Sequence, residues 1–513
     1  MIGPKRKPRI LDVAPVRRRT FLRSVSMALA APFIPAAVRF AVGEELLGEA
    51  NAADLEGLMP TYFLEMNLRD QWDFGHVFVP PGLATHQGLR IGPDVDKCCL
   101  YYPSEQLTQT PNGMYLTPDS VALAPHVEDI AVMELNELCV GAIHGHEAMN
   151  AMRSPGRTKL GSSGKPATWH NEPGYDEQGN DFFYSTTPTP ASLHNFVQKQ
   201  ITPSLRNGIT MKYISRFHTV CHYAGSRPEG ELTRIQSVAQ LFQSFPDTVQ
   251  DFNVLPTPEE AELLADVVRR VDQRYFRENG YGSEAKSRHA NQLGEAAKLW
   301  HVGEPKLVSM PLTEEENAYW SEGVPPQVGA NKKAEIWQMA AWASKLLTND
   351  ITRSVSLEFD YLDVHETRED HVMHTMGLQA ALPLARLIEQ FKAAGIWDRT
   401  VIAVYSLDGG RAPNGNSYGD EGKNSFILAG GGVSGGYYGD VSVVSNTNTG
   451  HVYGYHVPND AGVPQAPVTN NDNRIPGARS WRTVMKALNI PDSLCSEFPD
   501  VAGAQPLSYM LKA

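Results

Sequence analysis

Runs of strand-forming residues alternate with stretches of helical periodicity along this chain, and that alternation narrows the fold more than any other feature. Thr61–Leu68 (TYFLEMNL) alternates and is rich in strand formers, and Asp129–Leu135 (DIAVMEL) repeats the pattern. Ser354–Leu362 (SVSLEFDYL), Thr400–Tyr405 (TVIAVY) and Ser425–Ala429 (SFILA) follow in the C-terminal half. Between them lie expected helices. Thr257-Pro258-Glu259-Glu260 offers an N-cap, a first-turn proline and acids ahead of helical spacing over 261–276, and Thr313-Glu314-Glu315-Glu316 opens another such helix. Residues 334–347 form a third, and His374 to about Ala394, with a kink at Pro383, a fourth. Continuous apolar strands separated by helices point to an α/β fold, a mainly parallel central sheet with helices on both faces and long loop insertions. Residues 153–190, rich in Gly, Ser, Pro and Thr, read as one long irregular loop, and 256–350 as a helical insertion.

The N-terminus carries a different signal. Arg17-Arg18-Arg19-Thr20-Phe21-Leu22-Arg23 precedes an apolar run over 25–38 that is interrupted by Pro32 and Pro35. A charged region followed by a short apolar one is the order of an export signal, and the run falls short of the about 20 residues a membrane span needs. Paired arginines before Thr-Phe-Leu fit the twin-arginine address, which is read by a translocase that exports folded cargo. Residues 1–52 are therefore expected to be a twin-arginine signal and 53–513 the working domain, periplasmic or secreted, with no membrane span in the mature chain. Ala50-Asn51-Ala52 has the small-x-small form of a cleavage site; an uncleaved anchor is the alternative.

Charge then limits the partners. Residues 1–52 hold nine Lys/Arg and four Asp/Glu, a net +5, so the formal −13 of the whole chain becomes about −18 without them. A surface of that sign repels nucleic acid and anionic lipid, so neither is expected as a partner. Cys98, Cys99, Cys139, Cys221 and Cys495 are odd in number and lack C-x-x-C spacing, which leaves buried thiols and up to two disulfides both open.

In open α/β sheets ligands collect beyond the carboxyl ends of strands. Residues of metal-ligand type follow four of the expected strands: Asp70, Asp73 and His76; His144 and His146; Asp363 and His365; and Asp408, Asp420 and Glu421. Carboxylates with imidazoles suit zinc, or calcium, magnesium and manganese where oxygen dominates. Their recurrence after successive strands points to a metal site.

Leu362-Asp363-Val364-His365, Gly395-Ile396-Trp397-Asp398-Arg399-Thr400, Ser406-Leu407-Asp408-Gly409-Gly410-Arg411-Ala412-Pro413 and the glycine run 430–436 form one set of motifs, with Gly113-Met114-Tyr115-Leu116-Thr117-Pro118 and His146-Glu147-Ala148 upstream. Through them residues 355–440 resemble the C-terminal half of a family of twin-arginine-exported bacterial proteins of unknown function within the alkaline phosphatase and sulfatase superfamily, and the upstream segments extend the likeness. The resemblance implies an alkaline-phosphatase-like domain and a metal-dependent hydrolase of phosphate or sulfate esters, acting on a small-molecule or glycan ester. It implies Asp73, Asp363, His365, Asp420 and Glu421 as ligands to a divalent metal ion, with His146 and Arg411 close to the substrate anion. The departures are Asp420-Glu421 where the family has Asp-His, Leu407 or Asp408 where it has Glu, and no hydroxyl in Arg69-Asp70-Gln71-Trp72-Asp73, which leaves Asp70 as a carboxylate nucleophile. The competing reading is a non-catalytic secreted binding or assembly scaffold that keeps the fold. A third, a subunit exported alongside a redox enzyme, finds no cofactor motif in its support.

Overall fold

The computed structural model describes residues 61–68, 75, 77–86, 102–136, 158–160, 166–168, 174–175, 181–182, 193–198, 209–212, 221–222, 233–235, 312–325, 336–349, 352–359, 370–406, 424–447, 450–467, 475–497, 501 and 503–512. An eight-stranded sheet forms its centre. In chain order the strands are β1 (Tyr62–Leu68), β2 (Ile130–Asn136), β3 (Ile209–Lys212), β4 (Thr233–Ile235), β5 (Ser354–Phe359), β6 (Thr400–Ser406), β7 (Asn424–Gly430) and β8 (Gly436–Tyr438). They are arranged β4-β3-β5-β1-β6-β7-β2-β8. Pairing is parallel from β4 through to β6 and between β2 and β8, while β7 runs antiparallel to both its neighbours. All five strands expected from the sequence lie in this one sheet.

Burial on both faces explains the near-continuous apolar strands. Along β1, Tyr62, Leu64, Met66 and Leu68 belong to one core and Phe63 to the other; along β6, Ile402 and Val404 oppose Val401, Ala403 and Tyr405. The first core is closed by three helices. After α1 (Pro81–Ala84) and α2 (Leu193–Gln198) in chain order, helix α3 (Glu314–Ser321) starts at Thr313 in a capping box, in which the Glu316 N–H donates to Thr313 Oγ1 and Thr313 N–H to Glu316 Oε2. Helix α4 (Ile336–Thr348) buries Ile336, Met339, Ala340, Ala343, Leu346 and Leu347, the i, i+3, i+4 stripe of a core-facing helix. Helix α5 (Asp370–Ala393) begins ahead of the expected His374 and runs through Pro383. Arg386 on α5 ties the end of α3, donating to the Trp320 carbonyl at 2.6 Å and to that of Glu322. Opposite, α2 (Leu193–Gln198) and α6 (Gly477–Ala487) cover the second core, where Trp481, Val484 and Met485 meet Tyr405 and Phe426. Helices therefore stand on both faces.

A smaller layer flanks the sheet. The hairpin of β9 (Asp440–Thr447) and β10 (Gly450–His456) packs with α1 (Pro81–Ala84) and the short strand Phe78–Val79 around Val79, Leu83, Val441, Tyr453 and Tyr455. Within 153–190, expected as one irregular loop, short strands pair instead: 158–160 with 166–168 and with 221–222, and 174–175 with 181–182. Backbone N–H and C=O groups seek partners even in Gly- and Pro-rich sequence. The expected signal 1–52 and the expected helix 261–276 lie outside the described residues. No helix among the described residues is long and apolar enough to cross a membrane.

Candidate functional site at the sheet edge

Strand direction and register bring several chain ends to one edge. Leu68 at the end of β1 is level with Phe359 at the end of β5 and with Ser406 at the end of β6. Because β7 runs the other way, its first residue Asn424 stands at that same edge, level with Asn136 at the end of β2. Every segment singled out as ligand-bearing is rooted there. Asp70 and Asp73 follow Leu68 by two and five residues, Asp363 and His365 follow Phe359 by four and six, and Arg411 follows Ser406 by five. Asp420 and Glu421 precede Asn424 by four and three residues, and His146 follows Asn136 by ten. Asp70, Asp73, His146, Asp363, His365, Arg411, Asp420 and Glu421 themselves lie outside the described residues, as do His76, His144 and Asp408. Among the described residues, no group of three or more His, Cys, Asp or Glu side chains is placed to hold a metal ion.

Inside the edge the sheet holds two buried carboxylates, one on each face. Glu65 sits three residues in from the end of β1, on the face of Phe63, and is wholly buried. Ser356 Oγ on β5 donates to Glu65 Oε2 at 2.7 Å, Tyr405 OH on β6 donates to Oε1, and His194 Nε2 on α2 lies 2.8 Å from Oε2. A carboxylate accepts, so Nε2 carries a proton, and His194 Nδ1 meets the Ser354 hydroxyl at the start of β5. The His194 ring also stacks on Phe63, centroids 4.7 Å apart. Desolvating a carboxylate is costly unless charge-assisted bonds compensate; this one ties together three neighbouring strands and the helix above them. On the opposite face Glu134, near the end of β2, accepts from Ser425 Oγ on β7 at 2.9 Å and from Tyr437 OH on β8 at 2.5 Å.

The order Ser354, His194, Glu65 has the make-up of a hydrolase triad, yet Ser354 in the sheet and His194 on the helix over it are both 0% exposed. Their chemistry in this fold is to hold elements in register. Sequence reasoning missed both networks. Glu65 lies in an alternating run, and alternation reads as a half-solvated strand; the signal that could have found it is an acid inside a strand also expected to be covered on both faces. The glycine run has a structural explanation too. Against the expectation that the chain holds no cofactor motif, Gly430, Gly432 and Gly435 spell a G-x-G-x-x-G pattern, but the run leads from β7 into β8 and opens no helix, so it lacks the context of a dinucleotide site. A Cβ on Gly430 would lie 2.3 Å from the Thr400 carbonyl oxygen, and one on Gly431 2.4 Å from Asp398 Cα. No protein-family model and no curated protein matches this chain.

Proposed function

We propose that the mature chain is an exported, metal-dependent hydrolase of phosphate or sulfate esters on an alkaline-phosphatase-like α/β domain. The observation that supports this most is the shared edge: Leu68, Asn136, Phe359, Ser406 and Asn424 stand along one side of the sheet, and each roots a segment carrying candidate residues. Open α/β sheets bind ligands at that side. Asp73, Asp363, His365, Asp420 and Glu421 would hold the ion, and a set of four carboxylates with one imidazole suits calcium, magnesium or manganese better than zinc. Such an ion supplies Lewis-acid polarisation of a phosphoryl or sulfuryl oxygen. Arg411 offers a planar two-pronged donor for the ester anion, His146 a proton donor or acceptor beside it, and Asp70 a carboxylate nucleophile.

Metal binding and turnover of the purified exported protein test the reading together. Manganese, calcium, magnesium and zinc are titrated by calorimetry, and p-nitrophenyl phosphate and sulfate are assayed before and after chelation. Stoichiometric binding that is lost in Asp363→Asn while the circular dichroism is unchanged, with metal-dependent release of nitrophenol, is the expected result. Absence of binding by all four ions, with Asp363→Asn behaving as wild type, would replace the enzyme reading with the scaffold one. Export is tested separately: Arg18→Lys with Arg19→Lys should hold the protein in the cytoplasm, and undiminished export of that double variant sinks the twin-arginine assignment.

A further inference from the structure

The β9–β10 hairpin, which follows β8, carries a second constellation. Val441 pairs with Tyr455 and Asp440 with His456. Since Val441, Tyr453 and Tyr455 turn into the small flanking core, strand alternation places Asp440, Ser442 and His456 together on the other face. There Ser442 Oγ lies 2.7 Å from His456 Nε2, and His456 Nδ1 lies 2.8 Å from the Gln465 carbonyl oxygen. A carbonyl only accepts, so Nδ1 carries the ring proton and Nε2 presents its lone pair to the Ser442 hydroxyl. That is the tautomer a general base needs, fixed by a third group.

Asp440 and Gly82 complete the arrangement. The Asp440 carboxylate accepts the backbone N–H groups of Gly82 and Val441, each at 2.8 Å, and is paired across the hairpin with His456. Burial pushes its carboxyl above the ordinary range, against the pull of those two N–H groups. A Cβ on Gly82 would come within 2.8 Å of Asp440 Oδ2 and 2.9 Å of Ser442 Cβ, so glycine lets α1 approach this corner. Ser442 and His456 are half-buried, unlike the wholly buried Ser354 and His194.

We propose that Ser442 and His456 form a nucleophile–base pair that opens a neutral carboxylic ester, an activity separate from the metal-dependent one at the sheet edge. Ser442 Oγ attacks the acyl carbon and its proton passes to His456 Nε2. The bond from the acyl carbon to the alcohol oxygen breaks, and the alcohol leaves with that proton. Water then attacks the Ser442 ester and yields a proton through His456, which releases the acid and restores the hydroxyl. The excess of acidic groups on the chain and the neighbouring Asp440 favour an uncharged ester over an anionic one.

The test is labelling of the full chain with a fluorophosphonate probe, read by peptide mass spectrometry and by fluoride release. One phosphonyl adduct on Ser442 is expected, forming about a hundredfold more slowly in His456→Gln, with Ser442→Ala unlabelled and chelation without effect on the rate. An unmodified Ser442 in the wild-type protein overturns the proposal whatever the variants do. So does an equal labelling rate in a His456→Gln protein whose near-UV circular dichroism matches wild type. Loss of labelling on chelation would assign the reactivity to the metal-dependent site and overturn it as well.

Discussion

His194 Nε2 stands 2.8 Å from the Glu65 carboxylate, and both side chains are wholly buried beneath the edge from which the candidate ligand segments leave. The pair joins α2 to the central strand, and through Ser356 and Tyr405 the same carboxylate reaches the strands on either side. Relative height among β1, β5 and β6 decides where 69–76, 360–369 and 407–423 begin. A polar lock inside the sheet is thus a condition for any site built from those segments.

Removing the shared acceptor should be far more damaging than removing one donor. Glu65→Ala is expected to cost about 3–5 kcal/mol, the range for breaking a buried charged pair. Tyr405→Phe deletes one hydroxyl and should cost about 1 kcal/mol. Urea unfolding of both variants checks the ratio, and equal losses would mean that Glu65 is not the hub of the network.

Asp129 should govern part of the acid limb of stability. Burial raises its carboxyl, but Lys512 Nζ at 2.6 Å, Lys392 Nζ at 2.9 Å and Trp397 Nε1 at 2.9 Å outweigh that and hold it below the ordinary range. A depressed folded value stabilises above the unfolded value of about 3.9 and is lost as pH falls through the folded one. Asp129→Asn should therefore be less stable than wild type by about 1–3 kcal/mol at pH 7, with the gap narrowing as acid protonates the wild-type carboxyl. A gap independent of pH down to the acid transition contradicts this.

The start of α3 gives a smaller, local expectation. Thr313→Ala removes the side-chain acceptor for the Glu316 N–H and should cost about 1 kcal/mol. Lys345 Nζ, 2.6 Å from Glu316 Oε2, keeps that side chain near the helix end in the variant. Glu316→Gln in addition should then lose little more than the ion pair, measured by thermal unfolding at low and high salt; a strongly salt-dependent Thr313→Ala effect would assign the loss to charge instead of the cap.

The elements with strong local signals were legible. The Thr313 cap, the apolar stripe of α4 and the five strand-forming runs each depend on neighbouring residues, and the structure places them within a few residues of where they are expected. What depends on remote pairing was not. Nothing in DIAVMEL says that β2 lies beyond an antiparallel β7, and nothing in LHNFVQ says that His194 closes over Glu65. Ser442 and His456 meet only because the hairpin register sets them diagonally, with Ser442 opposite Gly454. The candidate site is legible as far as its roots: strand direction brings the segments to one edge, and their side chains lie beyond the described residues.

The glycine run provides the sharpest contrast between a resemblance and a steric explanation. Gly430 and Gly431 lie against the backbone of Thr400 and of Trp397 and Asp398, and the Gly431 N–H donates to the Trp397 carbonyl at 3.2 Å. Gly432, one residue on, has nothing within 4 Å of an added Cβ and no positive φ. Gly431→Ala must therefore push backbone against backbone, which no side-chain rotation relieves, at a cost of about 1–3 kcal/mol or more. Gly432→Ala should fall within about 0.5 kcal/mol of wild type, or gain slightly from the less flexible unfolded chain. If instead the run served a bound anion through its backbone, Gly432→Ala would weaken ligand binding while leaving unfolding unchanged. Calorimetric titration with inorganic phosphate beside urea unfolding of both variants decides between these: loss of stability confined to Gly431→Ala supports the close-approach explanation, and loss of phosphate binding confined to Gly432→Ala rejects it.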